Sequence, residues 1–152
     1  MPWDQDLARE IAEELKGEDG ALLPILHALS DRFGYVDQQV VPLLAGILNL
    51  SRAEVHGVLS FYHDFREAPA GQVVVKVCRA EACQSMGATA LIERLCGRHG
   101  ISLGDTSAAG VTIEPVYCLG NCACAPAAMV NDELHGRLDA ETLDKVIGEV
   151  QK

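Results

Sequence analysis

Apolar residues recur at helical intervals through residues 1–66. In DLAREIAEELKG, Leu7, Ile11 and Leu15 are spaced by four, a stripe along one helix face that ends at Gly17. ALLPILHALSDRFG is a second apolar segment, and its Pro24 falls in the first turn, where a missing N–H is tolerated. DQQVVPLLAGILNL is a third, with Asp37 placed to cap it. Ser51 opens the fourth, SRAEVHGVLSFYHDF, with Glu54 three residues on, the spacing of a capping box. Four short helices in succession predict a small helical bundle over residues 1–66.

REAPAG, residues 66–71, breaks this period and reads as a linker. Beyond it the texture changes. QVVVKV predicts a strand, and MGATALIERLCGRHG a helix with Leu91, Ile92, Leu95 and Cys96 on one face. GVTIEPVY predicts a second strand, and AAMVN with ELHGRL a hairpin. DAETLDKVIGEV closes the pattern as a helix, with Leu143, Val146, Ile147 and Val150 at helical spacing. Residues 72–152 are thus expected to form a compact α/β domain after the bundle. There is no internal repeat and no low-complexity tract.

Composition narrows the function. An apolar fraction of 49% is ample for a packed core, so folding does not depend on disulfides. A net charge of −10 argues against nucleic acid and against an anionic membrane surface, both of which need basic patches. No stretch reaches the roughly 18 apolar residues of a membrane span. The acidic start MPWDQDLARE lacks the order of a signal peptide, so a cytoplasmic location is expected. Six cysteines in that compartment point to metal or redox chemistry rather than to a disulfide framework.

The cysteines fall in a pattern. Cys78 and Cys83 form C-x4-C, and Cys118 and Cys122 form C-x3-C, with 34 residues between the pairs. Each pair follows a predicted strand, so both sit in loops at strand ends, and four thiolates converging from two loops make a metal site. Structural zinc sites favour tighter two-residue gaps. The looser gaps suit a two-iron, two-sulfide cluster in which each pair holds one iron. A zinc-stapled adaptor without a redox role and a set of unliganded buried thiols are the alternatives. His27, His56, His63, His99 and His135 all lie outside the ligand loops, so a Rieske centre is not indicated, and no C-x-x-C is present for thioredoxin chemistry.

Neighbouring residues suit a negatively charged cluster. Gly120, Asn121 and Ala123 allow backbone N–H groups close to sulfur, and a helix after Cys83 would direct its N-terminus at the site. Arg79, between the first two thiols, is either a solvated charge or a group near the cluster. Cys96 reads as a small buried hydrophobe. Cys124, two residues past Cys122, either packs beneath the site or can replace a ligand in a mutant, and a strained bridge within Cys122-Ala123-Cys124 is disfavoured. Phe61, Tyr62 and Phe65 gather three of the six Phe and Tyr residues. If helical, Val55, Leu59 and Tyr62 form a core stripe, while Phe61 and Phe65 form another that could dock a partner, with His56 and His63 at its rim. There is no phosphate-binding Gly-rich loop, no G-x-G-x-x-G and no Ser-His-Asp set, so the chain shows no catalytic apparatus of its own.

Taken together, GVLSFYHDF, the C-x4-C pair, CLGNCACAPAAMVN and GRLDAETLDKVI resemble the thioredoxin-like [2Fe-2S] family of the complex I 24 kDa subunit over nearly the whole chain. Within that family, EVHGVLSFYHDFR and CRAEACQSMG look like the gamma subunit of soluble NAD-dependent, molybdenum-containing formate dehydrogenases. The resemblance implies a thioredoxin-like fold without thioredoxin chemistry and one [2Fe-2S] cluster on Cys78, Cys83, Cys118 and Cys122. It implies an electron-transfer role beside a flavoprotein subunit that binds FMN and NAD, and a molybdopterin subunit that oxidises formate. Equivalent subunits of complex I and of NAD-reducing hydrogenases are the near alternatives. Cys124 falls at a variable position of the motif and inherits no role.

Overall fold

A computed structural model describes residues 2–151. The chain divides into two compact units, with the break after Pro69, inside the segment 62–72 that carries neither helix nor strand.

The first unit contains α1 (Gln5–Leu15), α2 (Leu22–Phe33), α3 (Val40–Leu48) and α4 (Arg52–Phe61). Asp4 starts α1 by accepting the N–H groups of Asp6 and Leu7 at 3.0 and 3.1 Å. The residues of α1 that are fully buried are Ala8 and Ala12, while Leu7, Ile11 and Leu15 pack half-buried around them. The apolar stripe therefore straddles the contact line, and small alanines at its centre let the neighbouring helices come close. Ile25, Leu26 and Leu29 of α2, Leu44 of α3 and Val55 of α4 complete the core.

Asp37 does not cap α3 as expected. Its carboxylate accepts the Gln39 N–H at 2.8 Å in a turn before the helix, and Gln39 at the cap position makes no side-chain hydrogen bond. The capping box of α4 is complete: the Ser51 N–H donates to Glu54 Oε2 at 2.8 Å, and the Glu54 N–H donates to Ser51 Oγ at 3.1 Å.

The aromatic stripes are corrected. α4 stops at Phe61, so Phe65 lies in a turn and helical periodicity does not apply to it. Phe65 is buried at 4% exposure, edge-on to His27 with ring centroids 5.0 Å apart. Phe61, in contrast, is 71% exposed and Tyr62 is 42% exposed.

The second unit is a four-stranded sheet in the order β2-β1-β3-β4, built from β1 (Val73–Cys78), β2 (Val111–Val116), β3 (Ala128–Val130) and β4 (Glu133–His135). β1 and β2 run parallel in the register Val73 to Val111 through Cys78 to Val116. β3 is antiparallel to β1, and β4 to β3. Asn131 and Asp132 close the β3–β4 hairpin, both with positive φ (44° and 68°), the backbone that a two-residue hairpin needs. Pro115 is tolerated because β2 is an edge strand.

Two helices, α6 (Ala88–His99) and α7 (Ala140–Val150), supply Ile92, Leu95, Leu143 and Ile147 to the core that covers Val73, Val75, Val77, Val111 and Ile113. The helix expected over MGATALIERLCGRHG forms as α6, and a further short helix that the sequence did not predict precedes it. A short α5 (Glu81–Ser85) contains Cys83, and Gly87 in the left-handed region (φ 90°) separates it from α6. At the start of β1, Gly71 lies so close to Gly110 that a Cβ there would stand 2.2 Å from the Gly110 carbonyl oxygen, a gap only glycine allows.

Candidate metal centre

Because β1 and β2 are parallel neighbours, their C-terminal ends emerge at the same edge of the sheet, the place where open α/β sheets hold ligands. Cys78 is the last residue of β1, and Cys118 follows β2 by two residues. The ladder continues past the strands: the Arg79 N–H donates to Val116 O at 2.8 Å and the Cys78 N–H to Ala127 O at 3.1 Å. α5 folds back from β1 and buries Cys83 beside Cys78.

Cys78 and Cys83, 3% and 2% exposed, pack with Ala80, Ala88, Ala125 and Ala127 in a small cluster separate from the sheet core. These alanines leave backbone rather than side chains against sulfur. Cys118 and Cys122 are exposed, with their sulfurs 3.6 Å apart. Cys118 has φ 79°, a left-handed conformation uncommon for a residue with a side chain, and Gly120 has φ 77°. These two positions curl the loop so that the Gly120 N–H points at Cys118 Sγ, 3.3 Å away.

The electrostatics link the two loops. Burial pushes the Cys78 thiol up, but the Ala80 N–H, the Cys83 thiol and the Cys118 and Leu119 N–H groups together outweigh it, and Cys78 is held below the ordinary thiol value. Burial also acts most strongly on Cys83. There it prevails over the Ala127 N–H, and the charges of Cys78 and Cys122 add to it, so Cys83 is raised. Cys122 is raised first by its contact with the Cys118 thiol, then by the charges of Cys118 and Cys78. The raised Cys83 and Cys122 thiols hold their protons beside Cys78, and metal binding would take them as thiolates and release those protons.

Among the described residues no three His, Cys, Asp or Glu side chains are gathered to hold one ion. The thiols instead stand as two pairs, Cys78 with Cys83 and Cys118 with Cys122. Two pairs, ringed by small residues and N–H donors, fit a two-iron, two-sulfide group with one pair to each iron.

The other candidate residues divide. Cys96 is half-buried against the sheet core, raised chiefly by burial and further by Asp105. Cys124 is half-buried in the short 3-10 turn Cys122–Cys124. Arg79 accepts a hydrogen bond at its carbonyl from Gln84 Nε2 at 2.6 Å. His27, His56, His63, His99 and His135 take no part in the thiol cluster. The sequence pattern did not single out the N–H donors of Ala80, Leu119 and Ala127. Their only signal was the run of small residues around the cysteines, since a backbone donor leaves no trace in residue identity.

A model of the thioredoxin-like [2Fe-2S] ferredoxin family matches residues 8–151. The NADP-reducing hydrogenase subunit HndA of Solidesulfovibrio fructosivorans is 32% identical over 149 residues, covering 95% of this chain and 87% of the relative. An NADH-quinone oxidoreductase subunit of Pseudomonas aeruginosa is 31% identical over 128 residues, covering 84% of this chain and 77% of the relative. Among solved structures, an NAD+-reducing [NiFe]-hydrogenase in the H2-reduced state superposes with a TM-score of 0.69 at 28% identity over 86% of this chain. This chain spans 22% of that hydrogenase chain. The chain belongs to the thioredoxin-like [2Fe-2S] ferredoxin family, whose [2Fe-2S] cluster is its cofactor.

Proposed function

We propose that the chain is the electron-transfer subunit of an NAD-linked oxidoreductase complex, holding its [2Fe-2S] cluster on Cys78, Cys83, Cys118 and Cys122. The observation that carries this reading is the meeting of the two thiol pairs at one sheet edge, with N–H groups of one loop directed at a sulfur of the other. When bound, the cluster accepts and returns one electron. The chain's own part is electrostatic. The N–H groups of Ala80, Cys118 and Leu119 at Cys78, of Ala127 at Cys83 and of Gly120 at Cys118 favour the negative charge added on reduction. Cys78 and Cys83 are shut from water, while Cys118 and Cys122 face it, so exchange with a partner runs through the exposed pair.

Within this class the complex is an NAD-dependent formate dehydrogenase, with an FMN- and NAD-binding flavoprotein as the direct partner and a molybdopterin subunit further along. CRAEACQSMG and EVHGVLSFYHDFR support that choice. Residues 1–66 and 72–152 act as separate domains, the first serving assembly and the second holding the cluster. The exposed Phe61 and Tyr62 suit a docking role in the first. The location is cytoplasmic; no helix among the described residues is long and apolar enough to cross a membrane. A second reading, the equivalent subunit of a hydrogenase or of complex I, is favoured by the likeness to a hydrogenase subunit and to an NADH-quinone oxidoreductase subunit.

The test begins with the purified chain, which should carry about two irons and two acid-labile sulfides and give a spin-one-half EPR signal when reduced. One zinc and no sulfide would sink the assignment. The assembled complex isolated from its native cells is then offered formate, hydrogen or NADH under anaerobic conditions. Reduction of the cluster by formate supports the formate dehydrogenase reading. Reduction by hydrogen or by NADH, with formate inert, supports the alternative.

A further inference from the structure

Residues 136–138 form a strap behind the loop that carries Cys118 and Cys122. The Arg137 N–H donates to Cys124 O at 2.6 Å, and the Leu138 N–H donates to Pro126 O at 3.0 Å. The approach is closest at Gly136. A Cβ there would stand 2.6 Å from Asn121 Nδ2, 2.8 Å from Cys124 Cβ and 2.9 Å from Cys124 O. Ordinary carbon contacts lie at about 3.5–4.0 Å. Two of the three atoms belong to the backbone or are fixed to it, so rotation of a flexible side chain cannot relieve the crowding.

The strap is anchored at both ends. Upstream, His135 pairs with Ala128 in the sheet. Downstream, Leu138 is buried in the sheet core, and Asp139 caps α7 by accepting the Thr142 N–H at 2.7 Å. The opposing loop has only short elements and left-handed turns at Cys118 and Gly120. A group inserted between strap and loop therefore displaces the loop.

We propose that Gly136 is a positioning residue for the cluster. By lacking a side chain, it lets the strap seat the Cys118–Cys122 loop at the depth where the Cys118 and Leu119 N–H groups reach Cys78. The inference rests on the ligand assignment proposed above. Pushing the loop outward lengthens these N–H···S hydrogen bonds. They stabilise the reduced, more negative state more than the oxidised one, so their weakening lowers the midpoint potential.

The test compares Gly136→Ala with Gly148→Ala, whose position in α7 has open space around it. Wild-type iron and sulfide are measured first. If wild type holds no [2Fe-2S] cluster, the ligand reading fails, whatever Gly136 does. With the cluster present, Gly136→Ala is expected to shift the reduced-state EPR g-values and move the midpoint potential downward, while Gly148→Ala matches wild type in both. Loss of the cluster from Gly136→Ala with helical circular dichroism intact supports the same conclusion. Wild-type g-values and potential in Gly136→Ala overturn it and leave the ligand assignment standing. Should Gly136→Ala not fold, Asn121→Ala, which removes the loop side chain seated against Gly136, decides. A cluster held with shifted g-values and potential supports the seat, and wild-type g-values and potential overturn it.

Discussion

The two units of this chain keep their shape by different means. The helical unit has one continuous apolar core, with Ile25, Leu26, Leu29, Leu44 and Val55 sealed from solvent. The second unit has a comparable core beneath its sheet, but at the sheet's edge that core gives way to a cluster of two thiols and several alanines. Burial of large side chains supplies most of the stability in the first case. At the thiol edge there is little apolar volume to bury, and backbone hydrogen bonds and the metal must set the geometry. The part of the molecule that binds is the part that packing specifies least.

The largest effect should come from removing a proposed ligand. Cys83→Ser is expected to abolish or strongly alter the cluster, read as lost visible absorbance and lost iron, while the thermal transition of the helical unit stays in place. Cys96→Ala, at a half-buried position outside the cluster, should keep the absorbance. A bleached Cys96→Ala beside a coloured Cys83→Ser would break both the ligand assignment and the contrast between the units.

Next come large-to-small changes in the helical core. Leu26→Ala should destabilise that unit by about 2–5 kcal/mol and Phe65→Ala by about 3–5 kcal/mol, measured by denaturant titration, with the visible spectrum unchanged. A cluster lost with Leu26→Ala would show that the two units are not energetically independent. Phe61→Ala, at a residue 71% exposed, should leave stability near wild type. Its effect, on the proposed docking role, is weaker co-purification with the flavoprotein subunit.

A smaller loss is expected at a helix start. Ser51→Ala removes the acceptor of the Glu54 N–H and should cost about 1 kcal/mol, confined to the helical unit.

The smallest effect is an acid limb shared by both units. The backbone N–H of Ser51 holds Glu54, and that of Thr142 holds Asp139, below the usual carboxylate range. Groups with depressed native values bind fewer protons folded than unfolded. Their stabilisation is complete above the ordinary carboxylate pKa of about 4 and fades as pH falls through the lowered native value. Glu54→Gln and Asp139→Asn should each flatten that limb slightly in a pH series of melting temperatures. A change in only one unit would show that its partner cap does not form.

The helices of the first unit were legible because burial follows the 3.6-residue period, and α4 also announced its start through Ser51 and Glu54. Phe65 was misread because the period was extended past the helix end, and a turn returned its ring to the core. The short α5 around Cys83 was missed because five residues are too few to show an apolar period, and the left-handed Gly87 separates it from the helix that was legible. Asp37 offered a cap by type but spent its carboxylate one turn early.

The sequence by itself determined which residues are candidates to carry the chemistry. Two cysteine pairs at loose spacing after two strands mark a thiolate site, because residue type and chain position decide what can ligate. Tertiary structure alone decided that the pairs meet, through the parallel pairing of β1 with β2 that sends both strand ends to one edge. It also decided which thiols are shut from water, which N–H groups face them and how closely Gly136 lies behind the loop. Those features depend on contacts between residues distant in the chain and on backbone atoms common to every residue, so the order of side chains does not record them.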